Sequence, residues 1–253
     1  MVKWIFIIVL SMCGTVAPDT VLAQDFLRSE RMERFQRLQQ YSQNKFMYQK
    51  WLIEAKQYYN RSAKNFPIYK LLKPYAGGEY YDPFAKDTID ALYKYAYLVD
   101  TAKDPDEASE AAEKFQALLE WHLPNYTILK SAIPLVRTNS ALGDLEFLEW
   151  MFKNVTEYIF QSGTGQSIYY AYPIYSIDDE NLILNAAGVK VIDTEIINNG
   201  REYYHIHLTE DRQSGKPGKI YTNMSPVMKH IINVKKAKNP DYSFPLNVPD
   251  DFK

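Results

Sequence analysis

A single cysteine, Cys13, is the whole thiol content of the chain, and residues 24–253 hold none. That absence excludes disulfides, thiol catalysis and thiolate metal ligation from most of the protein in one step. Long apolar runs are missing as well: residues 4–12 (WIFIIVLSM) are too few to cross a bilayer, which takes about 20. Neither charge is in excess, since 29 Lys and Arg face 31 Asp and Glu for a net charge of −2. Whole-chain electrostatics therefore point to neither nucleic acid nor an anionic membrane as partner. Residues 25–64 contain no glycine and no proline, so backbone chemistry interrupts no helix there.

What is present begins with an export signal. Lys3, the apolar run and the compact residues Val21, Leu22 and Ala23 read as a signal peptide over residues 1–23, with cleavage between Ala23 and Gln24. The chain is then expected in the periplasm of a Gram-negative bacterium or outside the cell. Met12 stands where a lipobox has a small residue, so lipid attachment at Cys13 is not expected. An exported chain without disulfides must hold together by burial, and residues 24–253 suffice for one or two domains. The composition stands out in its 21 tyrosines, which mark contact surfaces more than chemistry.

Up to residue 161 the periodicity is helical. Phe35, Leu38 and Tyr41, then Trp51, Leu52, Ala55 and Tyr59, recur at spacings of three and four. A single helix over 25–64 would exceed the usual length, so a break is expected at Ser42 to Asn44. Lys73, Pro74, Gly77 and Gly78 read as a connector with an exposed aromatic tip at Tyr80 and Tyr81. Asp82 with Pro83, Asp104 with Pro105, Asn125 and Asp144 each announce a helix start. Pro134 is expected to bend or split the helix that follows Asn125. The Leu142-Gly143-Asp144 turn and the helix lengths resemble tetratricopeptide-type repeats, so residues 24–161 are expected to form a stack of antiparallel helical hairpins.

The period changes at Ser162-Gly163-Thr164-Gly165-Gln166-Ser167. Residues 168–177 are aromatic and β-branched and read as a strand, residues 178–187 as a short helix ended by Gly188, and residues 189–197 and 201–209 as a hairpin about Asn198-Asn199-Gly200. A strand over 219–223 and a helix from Ser225 to about residue 236 complete an antiparallel α+β domain over 162–238. An extended tail is expected over 239–253. The overall expectation is α+β.

Chemistry is sparse. The glycine loop lacks the lysine of a P-loop and follows a helix C-terminus, the wrong electrostatic end for phosphate, so it reads as an inter-domain hinge at Ser162, Gly163, Gly165 and Ser167. His205 and His207 sit two apart on a strand and point the same way; they are the candidates for a metal, with Glu195 and Asp211 as acids without an assigned position. The plainer reading of the pair is a polar, solvated strand face. Asp178, Asp179 and Glu180 read as acids at a helix start, with a carboxylate-pair hydrolase as the sharper alternative. No Gly-x-Ser-x-Gly supports a serine nucleophile. Tyr80, Tyr81, Tyr170 and Tyr172 are candidate contact aromatics. No cofactor is expected, and no catalytic residue is assigned.

Ser162, Gly163, Gly165, Ser167, Ala171, Tyr172, Asp179, Glu180, Gly188, Ile220, Tyr221 and Asn223 together resemble an uncharacterised family of exported bacterial proteins. In that family a tetratricopeptide-like helical part precedes a small sheet domain, and no activity is established. The resemblance runs over residues 65–223 and departs at His205, where an acid is expected, and at Thr222, where an aromatic is expected. It implies architecture, export and bacterial origin. The resulting expectation is an exported binding protein contacting a protein, peptide or glycan, with an envelope hydrolase (using carboxylates or a His205/His207 metal site) or a structural component of an envelope assembly as alternatives.

Overall fold

The computed structural model describes residues 18–239. The expected signal segment before Pro18 and the expected tail beyond Asn239 lie outside the described residues. The chain divides into two compact units, Met1–Gln43 and Asn44–Lys253. The first helix, α1 (Pro18–Asn60), passes from one to the other without the break expected at Ser42 to Asn44, and it contains Ala23 and Gln24. Ser and Asn disfavour a helix interior by under about 1 kcal/mol each. Asn44 offsets this with a tertiary bond, donating from Nδ2 to the Gly77 carbonyl at 2.6 Å.

Five further helices precede the sheet: α2 (Tyr69–Ala76), α3 (Lys86–Thr101), α4 (Pro105–His122), α5 (Tyr126–Thr138) and α6 (Leu145–Gln161). Three of the four start signals act as caps. Asp104 accepts from Asp106 N–H, Asn125 from Thr127 and Ile128, and Asp144 from Phe147. Asp82 instead accepts from Phe84 and Ala85 ahead of α3, which starts later than its Asp-Pro signal, at Lys86. Two prolines expected to break helices do not. Pro74 lies within α2 and Pro134 within α5, where Leu129, Ala132, Ile133 and Val136 keep the helix buried on both sides of the missing N–H.

The remaining elements are β1 (Tyr172–Pro173), α7 (Ile177–Ala186), β2 (Val189–Asn198), β3 (Tyr203–Asp211), β4 (Pro217–Asn223) and α8 (Ser225–Lys238). They form a four-stranded sheet of order β1-β4-β3-β2. The hairpin β2–β3 turns on Gly200, whose φ of +86° is left-handed. β1 pairs with β4 in parallel, so the sheet is mixed instead of wholly antiparallel. Most of the aromatic stretch 168–177 is not strand: Ile168–Tyr170 forms a 3-10 turn and only two residues join the sheet. Ile174, Ile183, Met224, Val227 and Met228 belong to the same hydrophobic core as Leu71, Leu92, Phe115, Ile128 and Met151. Helices and sheet in Asn44–Lys253 therefore share one interior, and the architecture is α+β.

Candidate functional site

Strand alternation gives β3 two chemically different faces. His205 and His207 point to one, Tyr204 and Ile206 to the other. Register adds neighbours: His205 lies opposite Thr222 of β4, and His207 opposite Thr194 of β2. A bulge between Val191 and Asp193 decides the second pairing. Continued from Val191 opposite Thr209, an unbulged register would have set Asp193 against His207; the extra residue brings in Thr194.

Helix α7 supplies the acid over this face. Ser176 and Asp179 form a reciprocal capping box, with Ser176 N–H donating to Asp179 Oδ2 at 2.8 Å. Glu180 follows on the same helical face as the buried Ile183 and Leu184, so its side chain is directed at the sheet. Glu180 Oε1 lies 3.0 Å from His205 Nδ1, 2.9 Å from His207 Nε2 and 2.5 Å from the Thr222 hydroxyl, which donates to it. Glu180 Oε2 is 3.2 Å from His205 Nδ1. On the far side of the His207 ring, Nδ1 is 2.9 Å from Thr194 Oγ1.

The electrostatics follow from these contacts. Burial alone would raise the Glu180 carboxyl, yet the hydrogen bonds from His205, His207 and Thr222 hold it down at about 2. Its neighbour Asp179 goes the other way: burial lifts it to about 6 against the bonds from Ser176 and Tyr175. The cluster is thus a carboxylate facing two imidazoles and a hydroxyl, a donor set suited to a cation. One ligand atom from each of Glu180, His205 and His207 lies within 4.8 Å of the other two.

The expectation of a solvated strand face at the histidine pair is corrected, since His207 is buried and His205 half-buried beneath α7. The acid that meets them is Glu180; Glu195 pairs with Ile206 on the opposite face, and Asp211 holds the turn at Ser214. Asp178 binds Thr127 Oγ1 and Asp179 caps its own helix, so the three acids serve three different ends. Of the expected aromatic tip, Tyr80 stacks on Trp121 with centroids 4.4 Å apart, while Tyr81 is buried and donates to the Tyr175 carbonyl.

The glycine loop is a lock, not a cradle. Its Thr164 and Gly165 N–H groups both donate to the Tyr170 carbonyl, and Gly165 accepts from Tyr221 N–H. A Cβ on Gly163 would stand 2.8 Å from the Tyr170 oxygen. The 3-10 turn is thereby pinned against β4, with Ser162 closing onto the Ile159 carbonyl and Ser167 accepting from Tyr170 N–H. Tyr169 at its apex is 94% exposed, Tyr170 is exposed and Tyr172 is half-buried. This turn borders an open groove of about 1070 Å³ whose floor includes Tyr204, Tyr221 and Asn223 and whose rim carries Arg201 and Lys229. Tyr204, Asn223 and Tyr221 belong to the sheet face opposite the histidines.

Comparisons of the chain with protein-family models, with curated proteins and with solved structures found no match. No helix among the described residues is long and apolar enough to cross a membrane. The roles of Glu180, Thr222 and Thr194 around the histidines were not read from the sequence. A signal for the first existed: Glu180 shares its helical stripe with Ile183 and Leu184, so an amphipathic reading of α7 places it toward the sheet.

Proposed function

We propose that the chain is an exported bacterial binding protein that takes an acidic saccharide in the groove bordered by Tyr169. The carrying observation is the 94% exposure of Tyr169 on a turn that its backbone bonds hold rigid. A backbone ordered before binding presents the apolar face of the ring and leaves only the two side-chain torsions of Tyr169 to be fixed. Arg201 and Lys229 flank it, both exposed, and neither forms a salt bridge among the described residues. The acid of the groove, Glu202, is engaged by the Tyr204 hydroxyl. A sugar ring, whose C–H face stacks on an aromatic, bearing a carboxylate matches that lining, and the signal peptide expected over residues 1–23 and the resemblance to exported bacterial proteins favour an envelope setting. Hydrolysis by paired carboxylates has less support, because Asp179 and Glu180 are both committed to bonds within the protein.

Calorimetric titration with oligogalacturonate tests this. Binding is expected, with a drop of about fivefold or more in affinity on Tyr169→Ala, the worth of one ring contact near 1 kcal/mol, and a further loss on Arg201→Ala. Equal binding of a neutral oligosaccharide, or of an acidic peptide in its place, would remove the assignment.

A further inference from the structure

We propose that Glu180, His205 and His207 form a binding site for one divalent ion of the zinc type. Three polar groups close on the Glu180 carboxylate. Glu180 Oε1 has His205 Nδ1 at 3.0 Å, His207 Nε2 at 2.9 Å and Thr222 Oγ1 at 2.5 Å. Both imidazoles and the Thr222 hydroxyl thus converge on one carboxylate, with His205 Nδ1 shared between its two oxygens, Oε2 lying at 3.2 Å. An ion centred among the two nitrogens and the carboxylate replaces the bridging protons and leaves Thr222 as the remaining donor to the oxygen.

The spacing agrees. Ligands at about 2.1 Å from a tetrahedral ion stand about 3.4 Å apart. The two nitrogen-to-oxygen distances need to open by only about half an ångström to reach that value. The rings stand at 85° to each other with centroids 5.7 Å apart, so two separate lone pairs approach the acid from different directions. Thr194 completes the arrangement, because its hydroxyl can accept from His207 Nδ1–H and leave Nε2 as the ligand atom.

Donor chemistry selects the ion. Two imidazoles and one carboxylate suit zinc and its neighbours in the first transition row, whereas calcium and magnesium take shells of oxygen. Three protein ligands leave a fourth position, and the His205 and Glu180 side chains retain 15% and 12% of their exposure, so the cluster is not sealed from solvent. The site lies on the sheet face opposite the groove, and it stands whether or not the groove binds sugar.

Titration of the full-length protein with zinc alone tests the proposal. One ion per chain is expected, with ring-nitrogen NMR signals shifting at His205 Nδ1 and His207 Nε2, and with four-coordinate visible bands when cobalt replaces zinc. Glu180→Gln and His205→Asn are each expected to weaken binding by ~100-fold or more, while His230→Asn leaves it unchanged. Absence of stoichiometric binding overturns the site, as does zinc binding that leaves both ring nitrogens unshifted. The second readout uses the unaltered chain, so it stands even where a variant does not fold.

Discussion

The Thr194 hydroxyl lies 2.9 Å from His207 Nδ1, on the side of the ring away from Glu180. One hydroxyl can serve that nitrogen in both ring states, donating to it when Nε2 carries the proton and accepting from it when Nε2 holds an ion. Thr194 is thus a positioning residue for the proposed centre, delivered by the bulge in β2.

Thr194→Val keeps the shape of the side chain and removes both options. Zinc affinity is expected to fall by ~10- to 100-fold, the usual effect of losing an outer-shell partner. Thr194 lies on an exposed edge strand, so urea denaturation is expected to change little. Unaltered zinc affinity in this variant would assign Thr194 no part in the centre.

His122 makes an acid-sensitive contribution to stability. It is buried in α4 with Nδ1 3.1 Å from the Tyr75 hydroxyl, and burial lowers it to about 4 from an ordinary 6.5. The unfolded chain therefore takes up this proton before the folded one does. The His122 contribution to stability is expected to fall by about 2 kcal/mol between pH 7 and pH 4.5. Asp179 opposes it: raised to about 6 from 3.8, it favours the folded state at low pH and loses that contribution as pH rises through 6. Urea unfolding of wild type and His122→Asn at both pH values separates the two, since only the wild type carries the acid-side loss. A stability gap between the two proteins that does not vary with pH would clear His122.

Asn154, in the middle of α6, holds two segments together. Its Oδ1 accepts from the Phe66 N–H at 2.7 Å and its Nδ2 donates to the Trp150 carbonyl at 2.8 Å. Asn154→Leu fills the same space but strands the Phe66 donor in the interior. The expected cost is about 1–3 kcal/mol in urea unfolding, and the Asn-Val-Thr sequence there is too buried to accept a glycan. A loss well below that range would mean that Phe66 N–H finds another acceptor.

Local chemistry made much of the fold legible. Asp104, Asn125 and Asp144 cap the helices they announce, and Gly188 and Gly200 take the left-handed conformations that end α7 and turn the hairpin. What escaped was non-local. α1 stays whole through Asn44 because Gly77, 33 residues away, offers it an acceptor. Residues 168–177 have strand composition, but most of them serve a 3-10 turn that the glycine loop pins. His205 and His207 were visible as a pair facing one way. Their acid lies 25 and 27 residues earlier on a helix, a pairing set by how α7 lies over the sheet and by no spacing rule.

Gly163 and Gly188 separate close approach from backbone strain. A Cβ at Gly163 would stand 2.8 Å from the Tyr170 oxygen and 2.9 Å from both the Ala171 oxygen and the Tyr172 nitrogen, all backbone atoms that cannot rotate away. Gly188 has a φ of +68° and nothing within 4 Å of the position a Cβ would take. Gly188→Ala is therefore expected to cost about 1 kcal/mol of conformational strain and nothing more. Gly163→Ala is expected to cost about 3 kcal/mol, the upper end for overpacking, because the turn bearing Tyr169 must move. The two effects also differ in reach. Displacing that turn moves Tyr169 away from the groove, so Gly163→Ala is expected to lose oligogalacturonate binding at temperatures where it is still folded. Gly188→Ala keeps that binding. Equal stability losses in the two variants, with the groove unaffected in both, would show that the loop does not hold Tyr169 in place.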